Sequence, residues 1–235
     1  MPPRFRRPPL ATLLAAPLLA LAGLVTAREP ATPPPGPWQP LFDGSSFQGW
    51  TTRNGQPVTT GWSIHNGVIH RTGPGGDIVT VREWLNFELE FEWKVAAKAN
   101  SGLKYRVSDY PPAGRSIGPE YQVLDDSGHD NGSTPKTSAG SLYDLVPPAA
   151  TKTLRPVGEW NQSRIVARGP HLEHWLNGRK IIEVDLSSTA WQDALKASKF
   201  KAAADFATRK GRLLLQDHGD EAWFRALRLR ELPGA

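Results

Sequence analysis

The clearest pattern in the chain has period two. Phe87, Leu89, Phe91 and Trp93 alternate strictly with Glu88, Glu90 and Glu92, which predicts a strand with one buried and one solvated face. Shorter runs of the same kind follow at Leu103 to Val107, Glu120 to Leu124, Ser163 to Ala167, Ile181 to Val184, Arg212 to Gln216 and Phe224 to Leu229. Asn66-Gly67 and Asn177-Gly178 stand between strand-like runs. Both residues of such a pair tolerate positive φ, so each predicts a type I′ hairpin turn. One helix is expected, with Ser187, Ser188 and Thr189 as candidate caps and Trp191 and Leu195 on one face as far as Phe200. The stretches Ser108 to Gly118 and Ser127 to Gly140 read as long loops, and loops of that length are commonly functional or mobile. There is no internal repeat. The class that follows is all-β, a two-sheet sandwich with one short helix.

Parity then sorts side chains by role, because a sandwich strand sends alternate residues into the core. Leu103, Tyr105 and Val107 are the inward set of their strand, leaving Lys104 and Arg106 outward. Tyr121 and Val123 point in and Glu120 and Gln122 out. Leu213 and Leu215 point in, while Arg212, Gln216 and His218 point out. The Glu88, Glu90 and Glu92 ladder reads as an ordinary solvated face. The other three strands carry amides, a carboxylate, cations and an imidazole, groups that match the vicinal hydroxyls of a pyranose.

The N-terminal region carries a different signal. Arg4, Arg6 and Arg7 precede an apolar run from Leu10 to Val25, and Val25-Thr26-Ala27 closes it with small residues. Residues 1–27 are therefore expected to be a secretory signal peptide. The run is also nearly long enough for an uncleaved membrane anchor. Residues 28–37, Arg28 to Pro37, form a Pro-rich spacer unable to pack a core, which places the folded domain at residues 38–235. Loss of Arg4, Arg6 and Arg7 lowers the formal net charge from +5 to +2. No basic run with interleaved aromatics is left, so nucleic acid is not expected as a partner. Cysteine is absent from all 235 residues, which excludes a lipidated cysteine, disulfides and thiolate metal sites. A periplasmic or secreted location is compatible with this, given a core large enough to stand without disulfides.

The chain also resembles a known family in eight ordered blocks. These are Leu41-Phe42-Asp43-Gly44 with Gly49-Trp50; Trp62 to Gly67; Asn100-Ser101-Gly102-Leu103; Glu120 to Asp126; Gly140-Ser141-Leu142-Tyr143-Asp144; Gly158-Glu159-Trp160-Asn161; His174 to Gly178; and Gly211-Arg212 with Leu215-Gln216-Asp217-His218-Gly219 and Phe224-Arg225. On these blocks it is similar to the 3-keto-disaccharide hydrolases, from Leu41 to about Leu232. The resemblance implies a concanavalin A-like lectin/glucanase jelly roll with its site on a concave face. It also implies a sugar substrate, a glycoside whose C3 hydroxyl a partner sugar 3-dehydrogenase has already oxidised. Many relatives are lipoproteins; this chain departs there, having no cysteine.

A 3-keto group acidifies the proton on C2, so the glycosidic bond can break by elimination, with water adding to the enone afterwards. That route needs a base, a charge for the enolate and an acid at the leaving oxygen. The catalytic candidates are His218 as base or acid, Glu120 as carboxylate, Lys104 for the enolate and Tyr143 as a proton donor. Arg106, Gln122, Gln216, Arg212 and Trp175 are the substrate-binding candidates. Asp125 and His129, close in one loop, are candidate ligands for a divalent metal ion that would polarise the ketone, although Asp, Gly and His also build ordinary turns. Two other functions remain open. A lectin-like binding module shares the fold, and fold does not decide function. A retaining glucanase needs two carboxylates about 5 Å apart on one face, and Glu120 and Asp125 have opposite parity.

Overall fold

Fourteen strands and one α-helix arise from these runs in the computed structural model, which describes Met1 and residues 33–110 and 115–234. Residues 2–27 of the expected signal peptide and residues 28–32 of the spacer lie outside the described residues. Residues 33–37 carry no regular structure, and Gly36 N–H donates to the Glu231 carbonyl at 2.8 Å. The compact unit begins at Pro33.

An eight-stranded antiparallel sheet contains β1 (Gln39–Pro40), β3 (Trp62–His65), β4 (Val68–Arg71), β6 (Phe87–Val95), β10 (Asn161–Arg168), β11 (His171–Leu176), β12 (Arg179–Asp185) and β14 (Ala222–Glu231). Its order is β12-β11-β10-β6-β14-β4-β3, with β1 also pairing β14. The second sheet contains β2 (Trp50–Thr52), β5 (Ile78–Trp84), β7 (Asn100–Tyr110), β8 (Arg115–Ile117), β9 (Glu120–Leu124) and β13 (Gly211–Leu215). Here the order is β2-β5-β13-β7-β8, and β9 pairs the first half of β7. The all-β sandwich expected from the sequence is thus observed. Asn66 and Gly67 have φ of 48° and 75°, and Asn177 and Gly178 have 47° and 81°, as type I′ turns require. They close the β3–β4 and β11–β12 hairpins.

The sheets pack through their inward parity. Phe87 meets Tyr105 edge-on at 6.1 Å and Phe91 meets Tyr121 at 5.4 Å, joining β6 of one sheet to β7 and β9 of the other. Each such buried aromatic contributes about 2–3 kcal/mol of burial. The helix α1 (Thr189–Ala197) starts at the Ser188 cap, whose hydroxyl accepts from Trp191 N–H at 3.2 Å. It buries Trp191 and Leu195 and ends earlier than the expected Phe200. Part of the expected 108–118 loop is sheet instead, since Ser108 and Asp109 pair with Ile117 and Ser116. On the outside of the larger sheet, Glu88, Glu90 and Glu92 pair across strands with Arg230, Arg228 and Arg225.

Candidate active site

Register assigns the outer face of the six-stranded sheet, since directly opposed residues of neighbouring strands share a face. Thr51, Val79, Leu214, Lys104 and Glu120 follow one another across β2, β5, β13, β7 and β9. Gly102 and Gln122 form the next row to one side, with Gln216 N–H donating to the Gly102 carbonyl at 3.0 Å. To the other side Val107 faces Arg212, which faces Glu83.

Glu120 is the centre of this face. It is only 7% exposed, and its carboxylate lies 3.4 Å from Lys104 Nζ. Burial pushes its pKa above the usual carboxylate value, opposed by the charges of Lys104, Lys199 and His218. Its neighbours leave little slack. A Cβ on Gly102 would come within 2.5 Å of Glu120 Oε1, so glycine at 102 is what lets the carboxylate lie flat on β7. With the Gln122 amide turned so that both its ends are satisfied, its nitrogen donates to Glu120 Oε1 at 3.0 Å. Tyr143 N–H donates to the Glu120 carbonyl at 3.1 Å, which brings the loop bearing Tyr143 alongside. Burial, with the charges of Glu120 and Asp144, pushes the Tyr143 phenol up. Lys199 Nζ lies 4.2 Å over the Tyr143 ring. Lys104 thus pairs with Glu120, the charges of His218 and Lys199 act on it and it acts on Tyr143. Residues chosen on separate strands and loops therefore bear on one carboxylate together with Lys199, which sequence patterning did not single out.

Two devices hold the parts that strands do not. The exposed His218 sits on a segment pinned from both sides. Asp217 accepts from Arg71 Nε at 2.7 Å and from the N–H groups of Gly75, Gly76 and Gly219, while Arg71 Nη1 donates to the Gly219 carbonyl at 2.5 Å. Burial raises the Asp217 pKa, but these hydrogen bonds outweigh it and hold the group below its usual value. The Tyr143 loop is pinned from the core. His174 Nδ1 lies 3.0 Å from the Gly140 carbonyl and its Nε2 lies 3.0 Å from the Tyr105 hydroxyl. A carbonyl only accepts, so Nδ1 carries the proton and Nε2 accepts from Tyr105. Complete burial pulls the His174 pKa down to about 4, keeping it neutral.

Comparison with known proteins gives the family. Residues 37–230 match the model of the 3-keto-alpha-glucoside-1,2-lyase-like domain. The chain belongs to this family. A 3-keto-disaccharide hydrolase of Bacteroides thetaiotaomicron is 33% identical over 225 residues, covering 82% of this chain and 77% of that protein. A crystal structure from Parabacteroides distasonis, of a protein assigned to the glycosyl hydrolases, superposes with a TM-score of 0.73 at 33% identity, covering 83% of this chain and 94% of the other. A second such structure from the same organism has a TM-score of 0.64 at 28% identity, covering 83% of this chain and 100% of the other.

In this member of the lyase-like family several residues expected at the site lie elsewhere. Arg106 is the largest departure. It has φ of 47°, a bulge residue that reverses the parity of β7. Its side chain turns inward, is 0% exposed and donates to the carbonyls of Leu85, Gly169 and Ala207; Val107 takes its place outside. Burial pulls its pKa down to about 10. Arg106 is therefore a structural clamp and not a sugar contact. Gln122 is also 0% exposed; it lies under Glu120 and cannot reach a sugar hydroxyl. Trp175 lies on the outside of the opposite sheet, between Arg164 at 3.9 Å and Lys180 at 6.0 Å from its ring. Gln216 borders the site, and its Oε1 is buried with no hydrogen-bond partner. Arg212 shares the outer face, one row beyond Lys104, with its Nε 3.9 Å from Glu83.

The expected metal ligands do not fit a metal. Asp125 accepts from Lys98 N–H, Ser127 N–H and the Ser127 hydroxyl with its two oxygens. His129 Nδ1 accepts from Asn131 N–H as the cap of a 3₁₀ turn. Both are turn builders. The same bonds remove Asp125 as a second glucanase-type carboxylate. Elsewhere, His171, Glu173 and Glu183 bring ligand atoms within 4.8 Å of one another, but the Lys180 ammonium already bonds both carboxylates.

Proposed function

We propose that this protein is an enzyme that cleaves the glycosidic bond of 3-keto-glycosides, 3-keto-disaccharides among them, by removing the C2 proton. The observation that carries this reading is Glu120, a carboxylate buried on a sheet face with an ammonium at 3.4 Å and an imidazole, a phenol and a second lysine around it. A purely binding face has no use for a carboxylate whose basicity burial has raised. The activity named for the Bacteroides thetaiotaomicron relative supports the same substrate class.

In this mechanism Glu120 takes the proton from C2, which the neighbouring ketone has acidified. Electrons move into the C2–C3 bond, and the enolate charge on the C3 oxygen is held by Lys104. The enolate then expels the aglycone from C1, forming the C1–C2 double bond of an enone. His218 or Tyr143 protonates the leaving oxygen. Water adds to C1, a proton returns to C2, and the sum is a hydrolysis. Asp217 and Arg71 fix His218; Gln122 and Gly102 fix Glu120. We also propose that the chain is exported, on the basic, apolar and small-residue pattern of residues 1–27, and that its substrate comes from a sugar 3-dehydrogenase.

The test uses purified protein with 3-keto-trehalose, and with trehalose as control. Release of 3-keto-glucose from the oxidised sugar alone is the expected result. Binding of either sugar without release would make the protein a lectin-like module instead.

A further inference from the structure

Beyond Lys104, the outer face of the six-stranded sheet continues into a cleft of about 250 Å³. Val79 and Val107 form its apolar floor, packed with Leu214 in a small cluster of their own. Arg53, Asp109, Ser116 and Arg212 are among the polar groups on its rim. Leu214 is directly opposed to both Val79 and Lys104, and Lys104 to Glu120, so this cleft and the Glu120 site lie on one continuous surface. Val107 lies three residues along β7 from Lys104, under about 10 Å, roughly the reach of one further sugar ring. In the opposite direction the β7–β9 part of the face is sealed, Gln122 and Asn100 being 0% and 2% exposed.

A pyranose is amphipathic, with an apolar C–H face and a rim of hydroxyls. An apolar floor with a charged and hydroxylic rim complements it. The rim is prearranged: Arg53 pairs with Asp77 at 3.1 Å and donates to the Ser116 carbonyl at 3.0 Å, and the Ser116 hydroxyl bonds Asp109. We infer that this cleft is the leaving-group subsite, which holds the unoxidised sugar of a 3-keto-disaccharide while the keto-sugar lies over Glu120. The inference rests on the reading of Glu120 as the keto-sugar site, and it makes the protein selective for sugar aglycones over small ones.

The test compares kcat/KM for 3-keto-trehalose and for methyl 3-keto-α-glucoside in the wild type, Arg212→Ala and Glu83→Ala. The ratio of disaccharide to methyl glycoside is expected to fall about tenfold in Arg212→Ala, the loss of hydrogen bonds to a charged group, and less in Glu83→Ala. An unchanged ratio in both variants overturns the subsite. If the wild type cleaves neither substrate, the proposed activity fails separately. The subsite is then decided by titrating trehalose into the wild type and following the amide signals of Val79, Val107 and Arg212 by NMR. Shifts confined to these residues support it, and their absence overturns it.

Discussion

The two outer faces of the sandwich use the same residue types to opposite ends. On the eight-stranded sheet, Glu88, Glu90 and Glu92 meet Arg230, Arg228 and Arg225 in a ladder of cross-strand pairs. Water reaches Glu90, Glu92 and the three arginines, and exposed pairs of this kind are worth about 0–1 kcal/mol each. Glu88 is as buried as Glu120, but two guanidiniums, those of Arg230 and Arg164, bond it. On the six-stranded sheet a single pair, Glu120 with Lys104, sits at the same cross-strand spacing. There the carboxylate is buried, the ammonium is partly buried, and a loop, a strand end and a lysine after the helix converge on them. Residue type and spacing do not distinguish the two faces. Desolvation of a carboxylate that no guanidinium bonds does, because it makes the carboxylate a stronger base and its ammonium partner a stronger stabiliser of new charge.

Exchanging the carboxylates is the strongest way to break this comparison. Glu120→Gln is expected to lower kcat on 3-keto-trehalose by at least about a thousandfold, the scale of a lost general base with its positioned site. Glu90→Gln is expected to leave kcat within about twofold and stability within about 0.5 kcal/mol. Equal effects of the two changes in steady-state kinetics would erase the distinction between the faces.

The core support of the site gives the next largest effect. His174 has a folded pKa of about 4 against an ordinary 6.5. Its neutral form is favoured by folding, so the stability it carries is complete above about pH 6.5. That stability is lost as pH falls through the window down to about 4, and it amounts to about 3 kcal/mol. Urea denaturation at pH 7 and pH 4 should show the wild type losing about that much more than His174→Phe; a parallel loss in both proteins would remove this role.

A smaller change sharpens the Glu120 pair itself. Lys104 opposes the upward shift of Glu120 by its charge, so Lys104→Met should raise the Glu120 pKa further. The acid limb of the kcat/KM profile is expected to move to higher pH, with kcat also reduced. A limb that stays in place, or moves down, would mean that Lys104 does not act on the group that limits the rate.

Much of this was legible from alternation alone. β9 and β13 stand within a residue of their expected limits, β6 runs two residues past Trp93, and both Asn-Gly turns formed where expected, since period and turn chemistry are local properties. Legibility ended at the bulge. Positive φ at Arg106 depends on the close approach of Gly211 on the neighbouring strand, where a Cβ would collide with the Arg106 backbone, and alternation cannot register an inserted residue. Arg106 and Val107 therefore exchanged faces. Gln122 kept its face but is sealed by packing that parity does not report. Lys199 had no periodic signal, because it follows the helix in an irregular segment. Asp217 and Arg71 meet across 146 positions of sequence, a distance only the fold closes.

The central claim is that the buried Glu120 removes the proton from C2. Cleavage of 3-keto-trehalose in D₂O, with the released 3-keto-glucose followed by mass spectrometry and NMR, tests it most directly. The account predicts one solvent deuterium at C2 of each product molecule, above the enzyme-free exchange, and loss of both cleavage and incorporation in Glu120→Gln. Cleavage that leaves the original C2 hydrogen in place would contradict it.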